Sequence, residues 1–322
     1  MSNYKKISNN IQQIIIDNPK TTDKKLTWLN ISNPGKKEIE FLRKKYKFDL
    51  KYLQASSAKI IAQRPKVRRC GEYLFMILHF PVLEDDNIKA GEIEFFVGHG
   101  YLITLHNNNI HGLNSFFNSY KKGDNTPLSF ESESSSMLLY ELLEKLMVGC
   151  YKLLDKNSVA IEDVEKVIFS EKQQQAASQI MALKRNIINF RKIMQNHKNI
   201  LKTLMEMKSS LVPARKLKNY YFNLVDRAKR IWDILENQKE MIEILYQTNE
   251  SLLNYRLNDI MKTLTIFSVI VFPLTLLAAI FGMNTMNSMP LVNHPSDFWI
   301  ILIIMLLGCV AMLGFFKWKR WI

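Results

Sequence analysis

Apolar and polar positions alternate along the first third of the chain, then settle into a three-four rhythm that runs to its end. Residues 24–107 read as mixed α/β. LTWLNIS (26–32) has strand character, and KKEIEFLRKKY (36–46) puts Ile39, Leu42 and Tyr46 on one helical face. YLFMILHFPVL (73–83) is a near-continuous apolar run, the pattern of a strand buried on both faces. In EIEFFVGHGYLITLHN (92–107), Ile93, Phe95 and Val97 alternate before Gly98-His99-Gly100, and Tyr101, Ile103 and Leu105 alternate after it, which predicts a hairpin. His99 reads there as a polar turn residue between two glycines and not as a ligand.

From about Ser129 the pattern is helical. No Gly or Pro falls between Gly149 and Pro213, or between Pro213 and Pro273, so Pro213 is the one turn the sequence marks. Beyond it Leu224, Ala228, Ile231, Leu235, Ile242, Leu245 and Leu252 form a bundle seam, interrupted by Gln238 and Asn249. A polar seam residue sets register or lines a wet axis. With no break before Phe281, the pattern predicts one helix from about Arg215 to Phe281. That is about 67 residues and on the order of 100 Å. Such a helix must pack against copies of itself or against the helices upstream.

Two charge-free runs of 19 residues follow, 263–281 and 298–316. Each approaches the ~20 apolar residues that cross a bilayer. Lys and Arg are absent from the loop 282–297 but present at Arg256, Lys262, Lys317, Lys319 and Arg320, which predicts cytoplasmic termini and an external loop. Trp299, Trp318 and Trp321 fall at the interfaces. The expected plan is a cytosolic α/β domain (1–128), a helical bundle and stalk (129–262), and a two-helix multi-pass membrane domain (263–322) in the plasma membrane.

Composition changes this picture little. The 322 residues carry a net charge of +14, but basic residues spread along a membrane chain are no sign of nucleic acid, and none is expected as a partner. Cys70, Cys150 and Cys309 are far apart and read as reduced thiols. The polar N-terminus lacks the apolar core of a cleaved signal. No P-loop, dinucleotide fingerprint or HExxH is present, so no enzyme and no resident cofactor are expected.

Leading into and along the first apolar run, Asn258, Met261, Leu264 or Thr265, Ser268, Phe272, Thr275 and Ala279 share one helical stripe. Bulky Ile266, Val269, Ile270, Leu277 and Ile280 stand opposite. Small and hydroxylated residues in such a stripe serve either tight helix packing, with hydroxyls bonded back to the backbone, or a wet pore lined by several copies. Pro273 frees a backbone carbonyl that a lumen or a neighbour must satisfy.

The stretch NDIMKTLTIFSVIVFPLTLLAAIFGMNTMNSMP resembles the CorA family of divalent-metal channels. The family's Gly-Met-Asn triplet stands at Gly282-Met283-Asn284. It is preceded by Pro273-Leu274-Thr275 and Phe281 and followed by Met289-Pro290. RPKV (64–67), YLFMIL (73–78) and the polybasic tail extend the likeness over most of the chain. The resemblance implies a funnel-shaped homopentamer in a lipid bilayer, with the first span lining the pore. It implies pore positions at Asn258, Met261, Leu264, Phe272, Thr275, Ala279 and Asn284, an apolar constriction at Met261 and Leu264, and a selectivity filter at Gly282, Met283 and Asn284. Mg²⁺ sheds its waters reluctantly, so a ring of Asn284 carbonyls would accept hydrogen bonds from the hydrated ion.

The chain departs from the family pattern in three places. The Glu that often follows Met-Pro is Leu291. Residues 171–220 hold eleven Lys or Arg and two acids, Glu171 and Glu206, where the family is often acidic. The acid expected early in the long helix is Asn223. Asp226, with Glu84, Asp85 and Asp86 from the first domain, could hold a regulatory Mg²⁺ instead. The implied function is uptake of hydrated Mg²⁺, with Co²⁺ or Ni²⁺ also carried. Zn²⁺ or other divalent efflux, and a membrane-tethered scaffold without transport, are the alternatives.

Overall fold

The computed structural model describes residues 2–17, 25–57, 63–122, 134–170, 173–207, 216–283 and 296–321. It contains two compact units, Met1–Tyr246 and Gln247–Ile322.

The first unit is built on a seven-stranded sheet. Its strands are β1 (Ser2–Lys6), β2 (Ile11–Asp17), β3 (Lys25–Ser32), β4 (Lys66–Cys70), β5 (Tyr73–Glu84), β6 (Asn87–Gly98) and β7 (Tyr101–His106), in the order β1-β2-β3-β7-β6-β5-β4. Every neighbouring pair is antiparallel except β3–β7, which is parallel and therefore needs a long crossover. Its helices are α1 (Lys36–Tyr46), α2 (Leu50–Ser57), α3 (His111–Lys122), α4 (Ser135–Ile168), α5 (Gln173–Met194) and α6 (His197–Glu206), with the first part of α7 (Lys216–Phe281).

Side-chain alternation sorts the sheet into two cores. Leu29, Ile31, Phe75, Ile77, Phe96 and Ile103 face Ile39 and Leu42 of α1 and Leu53 of α2. Their sequence neighbours, including Trp28, Leu74, Met76, Phe95 and Leu102, join the core that takes in α3 to α7. Helices therefore cover both faces, which is why β5 reads as an unbroken apolar run. Between the faces, Trp28 Nε1 donates to Thr104 Oγ1 (3.2 Å), and Thr104 Oγ1 donates to Asn30 Oδ1 (2.8 Å). His106 Nδ1 accepts from the Asn108 amide (3.0 Å), so its Nε2 carries the proton and donates to Asn30 Oδ1 (3.1 Å).

The expected hairpin forms, with His99 and Gly100 as its two-residue turn between Gly98 and Tyr101. Gly100 has φ +71, and a Cβ on Gly98 would fall 2.1 Å from the Tyr101 ring. The incoming strand β6 starts earlier than the alternation marks, because it pairs with β5 from Asn87 onward.

The long helical region differs from the single-turn expectation. Pro213 lies outside the described residues, but two further breaks occur without Gly or Pro. One ends α4 at Ile168, where the Phe169 amide is shared between the Glu165 and Val167 carbonyls. The other separates α5 from α6 at Gln195-Asn196, with Gln195 N bonded to Arg191 O and Ile200 N to Asn196 O. Tertiary packing sets these ends. Val164 and Ile168 are buried before the first break and Ala176 and Ile180 after it, so reversal keeps both apolar stripes covered.

Helix directions follow from paired contacts. Tyr221 Oη donates to Ser136 O (2.8 Å), Arg227 pairs with Glu144 (3.1 Å), and Gln238 Nε2 donates to Leu154 O (2.8 Å). The numbers rise together, so α7 runs parallel to α4. Arg191 pairs with Glu236 and Lys184 with Glu243 (2.8 Å), which makes α5 antiparallel to α7. The seam residues Leu224, Ala228, Ile231, Leu235, Ile242 and Leu245 are buried as expected. Gln238 sets register within the chain: it also donates to Ser158 Oγ (2.9 Å) and accepts from Asn157 Nδ2 (3.4 Å).

The second unit holds the rest of α7 and α8 (Asp297–Trp318). Both helices are long and apolar enough to cross a membrane. After α8 the Trp321 amide returns to Phe316 O (2.9 Å), the Trp321 ring stacks on Phe316, and Lys319 Nζ lies 5.5 Å from the Trp318 ring centre. This basic, aromatic end suits a membrane interface.

Candidate functional site

α7 carries the candidate stripe without a break to Phe281, Pro273 included. On this segment Ile266, Ile270, Leu274, Leu277 and Phe281 are half-buried. On α8 the shielded positions are Ile300, Ile301, Met305, Gly308, Cys309, Met312 and Phe316. At 3.6 residues per turn, Asn258, Met261, Leu264, Phe272, Thr275 and Ala279 fall on the side of α7 opposite its shielded line, and all six are exposed. Ser268 belongs to the same stripe by spacing but is half-buried. The segment therefore has one side covered within the chain and another that only lipid, water or a further copy can cover.

The hydroxyls on this segment bond back to their own helix. Thr263 Oγ1 donates to Asp259 O (3.0 Å), Thr265 Oγ1 to Met261 O (2.8 Å) and Thr275 Oγ1 to Val271 O (2.8 Å). The back-bonding reading of these residues thus holds, and it does not exhaust them. With its proton committed, Thr275 Oγ1 presents only lone pairs to its surroundings. Pro273 cannot donate to the carbonyl four residues earlier, at Val269, so that carbonyl is a further acceptor. Thr275 thus adds acceptor lone pairs to a stripe that carries no charge.

The helix ends at the first residues of the triplet. Gly282 N donates to Ala278 O (2.9 Å) and Met283 N to Ile280 O (3.2 Å). A Cβ at Gly282 would stand 3.1 Å from the Ala278 carbonyl oxygen, a backbone atom with little room to yield, so the closing turn favours glycine. Met283 is exposed at 58%. Asn284, the expected filter residue, lies outside the described residues, as do Met289, Pro290, Leu291 and His294.

The candidate regulatory acids sit elsewhere. Glu84, Asp85 and Asp86 form the β5–β6 tip, where Glu84 pairs with Asn87 and both Asp85 (φ 48) and Asp86 (φ 57) are left-handed, a type I′ turn. Two of the three carboxylates have cationic partners. Glu84 binds Lys89 Nζ (3.0 Å) and accepts from Asn109 Nδ2 (3.3 Å), and these bonds, Lys89 first, hold its carboxyl below the usual range. Asp86 meets Lys156 of α4 (3.4 Å). Asp226 pairs with Arg230 one turn along α7 (2.8 Å), and Asn223 is exposed. Among the described residues no group of three or more His, Cys, Asp or Glu side chains could hold a metal ion.

Sequence reasoning missed how this tip is anchored. Asn186 Nδ2 donates to Asp86 O (2.7 Å), Asn186 Oδ1 accepts from the Ile88 amide (3.0 Å), and Asn189 Nδ2 donates to Ile88 O (3.2 Å). Beyond the end of β7 the backbone of β6 has a strand only on its β5 side, and two asparagines one turn apart on α5 bond to its other edge. The i,i+3 spacing of Asn186 and Asn189 was the available signal. A cleft of about 340 Å³ opens beside the tip, with Asp86, Lys156, Asn157, Asp163 and Asn186 at its polar edge.

Residues 23–320 match a family described as CorA-like Mg²⁺ transporter protein. The chain is 22% identical to the cobalt/magnesium transport protein CorA of Methanocaldococcus jannaschii over 93% of this chain and 92% of that protein. Its fold matches the complete structure of the CorA magnesium transporter from that organism with TM-score 0.83, at 20% identity and covering 95% of each chain. The cytoplasmic domain of ZntB from Vibrio parahaemolyticus is similar with TM-score 0.59 at 14% identity, over 71% of this chain and 88% of that one.

Proposed function

From the premise that the chain belongs to the CorA-like Mg²⁺ transporter family, and so to a family of membrane transporters of divalent cations, we propose that it takes up hydrated Mg²⁺, driven by membrane potential. The observation that carries this reading is the uncharged, acceptor-rich stripe of α7 opposite the side shielded within the chain. Five copies of α7 around an axis bring Asn258, Met261, Leu264, Phe272, Thr275 and Ala279 to the lumen, with Ser268 at its edge.

Mg²⁺ binds six waters with near-ideal octahedral geometry. A path that stripped them would need to replace a very large hydration energy. Thr275 Oγ1 and the side-chain carbonyls of Asn258 and Asn284 instead accept from the ion's own water. Neutral acceptors hold the hydrated ion without trapping it. Met261 and Leu264 form the apolar narrowing, and Gly282 and Met283 close the helix and position Asn284. No acid or base along the stripe is asked to make or break a bond, which is the work of a conduit and not of an enzyme. A dication gains about 4.6 kcal/mol per 100 mV on entering a negative interior, enough to drive accumulation.

The flanking Lys and Arg support a plasma-membrane orientation with both termini cytoplasmic. Zn²⁺ or other divalent transport is the second reading within the family. The stripe contains no His or Cys, and soft ligands are what a dedicated zinc path would use. Uptake of Mg²⁺, Co²⁺ and Zn²⁺ into proteoliposomes containing the purified chain tests the choice. Mg²⁺ flux that Asn284→Ala removes while the oligomer stays intact supports the proposal. Zn²⁺ flux with Mg²⁺ excluded, or full Mg²⁺ flux in the folded variant, overturns it.

A further inference from the structure

One carboxyl in the first unit has no part in ion conduction and sits where a charge is costly. Glu141, on α4, is 2% exposed. The Tyr120 hydroxyl of α3 donates to its Oε2, while Oε1 is buried without a partner. Tyr120 is itself held edge-on against Trp28 (5.8 Å) and Phe116 (5.1 Å), so from the sheet and from α3 the carboxyl meets aromatic surface. On α4 the charged group that faces it is Glu144, one turn on, with the Tyr140 hydroxyl hydrogen-bonded to Glu144. From α7, Tyr220 and Tyr221 pack against Tyr140, and Arg227 is engaged by Glu144 (3.1 Å). None of the ion pairs among the described residues includes Glu141.

An ionised carboxylate in this position would keep one hydrogen bond, no cation and a like charge one turn away. Burial, the lack of a cation and the like charge favour the neutral acid, and only the Tyr120 bond opposes them. Burial is the largest cause, and together they push the carboxyl up to about 7, within the range a cell's interior visits. The neighbour matters as much as the site. Residues three apart on a helix share a face, so an ionised Glu141 repels the Glu144 carboxylate, which holds Arg227 on another helix.

We propose that Glu141 is a proton-binding site that links proton concentration to the contact between α4 and α7. With the proton bound, Glu144 alone holds Arg227, and Tyr120 caps a neutral acid. When the proton leaves to water, a second negative charge stands beside the carboxylate that holds Arg227, and the α3–α4 contact carries an uncompensated buried charge. The release of one proton near neutrality therefore loosens the packing of the helix that also carries the stripe. The inference rests on the first unit alone, so it stands or falls separately from the identity of the transported ion.

The test uses the full-length chain in detergent. The carbonyl band of a protonated carboxyl is followed by infrared difference spectroscopy from pH 5.5 to 8.5, alongside the thermal midpoint. In the wild type the band should disappear with a midpoint near neutrality, and E141Q should lack it. Tyr120→Phe removes the bond that favours the ionised form, so the midpoint should move upward by roughly one unit. Relative to E141Q, the wild-type thermal midpoint should fall as pH rises from 5.5 to about 7 and run parallel to it above. An identical band and an identical thermal profile in wild type and E141Q overturn the proposal. If E141Q fails to fold, Tyr120→Phe decides, and an unmoved midpoint overturns it.

Discussion

The two units of this chain dispose of their apolar and polar groups in opposite ways. In the first, Trp28, Phe75, Phe95, Phe96 and Phe190 are fully buried, and Gln238 exchanges three hydrogen bonds with α4. In the second, Met261 and Leu264 are each 58% exposed, Phe272 71% and Trp318 77%. Its Thr263, Thr265 and Thr275 bond back to their own helix. The first unit is a folded domain with its own core. The second presents an apolar surface of a kind that a bilayer covers, and on the proposed reading it is also where transport takes place.

The most drastic way to break this comparison is to cut it. Residues 1–246 expressed alone should be soluble and unfold in one cooperative transition, while 247–322 should need detergent at every step. Helical content and thermal melting of the shorter chain check this. Aggregation of 1–246 with no cooperative melt would mean that its core is completed from outside.

The next effect lies within the second unit. Met261 and Leu264 are exposed in one chain and should form apolar rings when copies assemble, a constriction that excludes water. Met261→Ala and Leu264→Ala should each raise basal Mg²⁺ flux several-fold in proteoliposomes, with melting of the first unit unchanged. Lower flux in both variants would make these positions packing contacts.

These two regions were also unequally legible. The 216–281 helix, the 298–316 span and the β6–β7 hairpin were readable because period and composition alone determine them. The β1–β2 hairpin was not, since KKISNN and IQQIII carry no turn dipeptide and acquire order by pairing with β3. Nor were α2, α3 and the breaks at 169 and 195, which tertiary packing imposes without Gly or Pro. For the site, periodicity identified the stripe on α7. The carboxylates at 84–86 were read as free acids, yet Lys89 and Lys156 pair with two of them, and pairing between distant residues leaves no local mark in a sequence.

A smaller effect separates the units by pH. His106 is buried in the β3–β7 network and His197 is buried against Phe80, and burial lowers each to about 4. A histidine with a depressed folded pKa is neutral when folded and protonated when unfolded between about 4 and 6.5. Its stabilisation is complete above 6.5 and is lost as pH falls toward 4, at about 1.4 kcal/mol per pH unit for each ring. Glu141 acts in the opposite sense. Its raised value costs stability above about 7, and the cost fades as pH falls toward 4.5. Between 6.5 and 4.5 the three leave a net loss of about 1.4 kcal/mol per unit. Denaturant melts of the full chain should show the first unit weakening across this window, with His106→Asn, if it folds, flattening the slope. The helices of the second unit should not respond. A first unit equally stable at pH 6.5 and 4.5 would contradict the burial of both rings.

The smallest expected effect concerns divalent cations outside the pore. Mg²⁺ binds through hard oxygens and is held best where several carboxylates converge. Here three of the candidate acids are engaged: Glu84 by Lys89, Asp86 by Lys156 and Asp226 by Arg230. These are exposed pairs, screened by water and weak. They are easily displaced, but an ion must displace them, and Asn223 offers it only a neutral carbonyl. Binding at a concentration equal to the dissociation constant stabilises by about 0.4 kcal/mol per site. Millimolar Mg²⁺ should therefore raise the thermal midpoint of the full chain by a degree or less and protect it weakly from proteolysis. Asn223→Asp should enlarge both effects by adding a carboxylate near Asp226, and Lys156→Met should do so by releasing Asp86. Because neither residue lies on the stripe, basal flux at low Mg²⁺ should stay at the wild-type level in both variants. Strong protection of the wild type at sub-millimolar Mg²⁺, unchanged by Asp226→Ala, would place any regulatory ion on other residues and return the first unit to the role of a support.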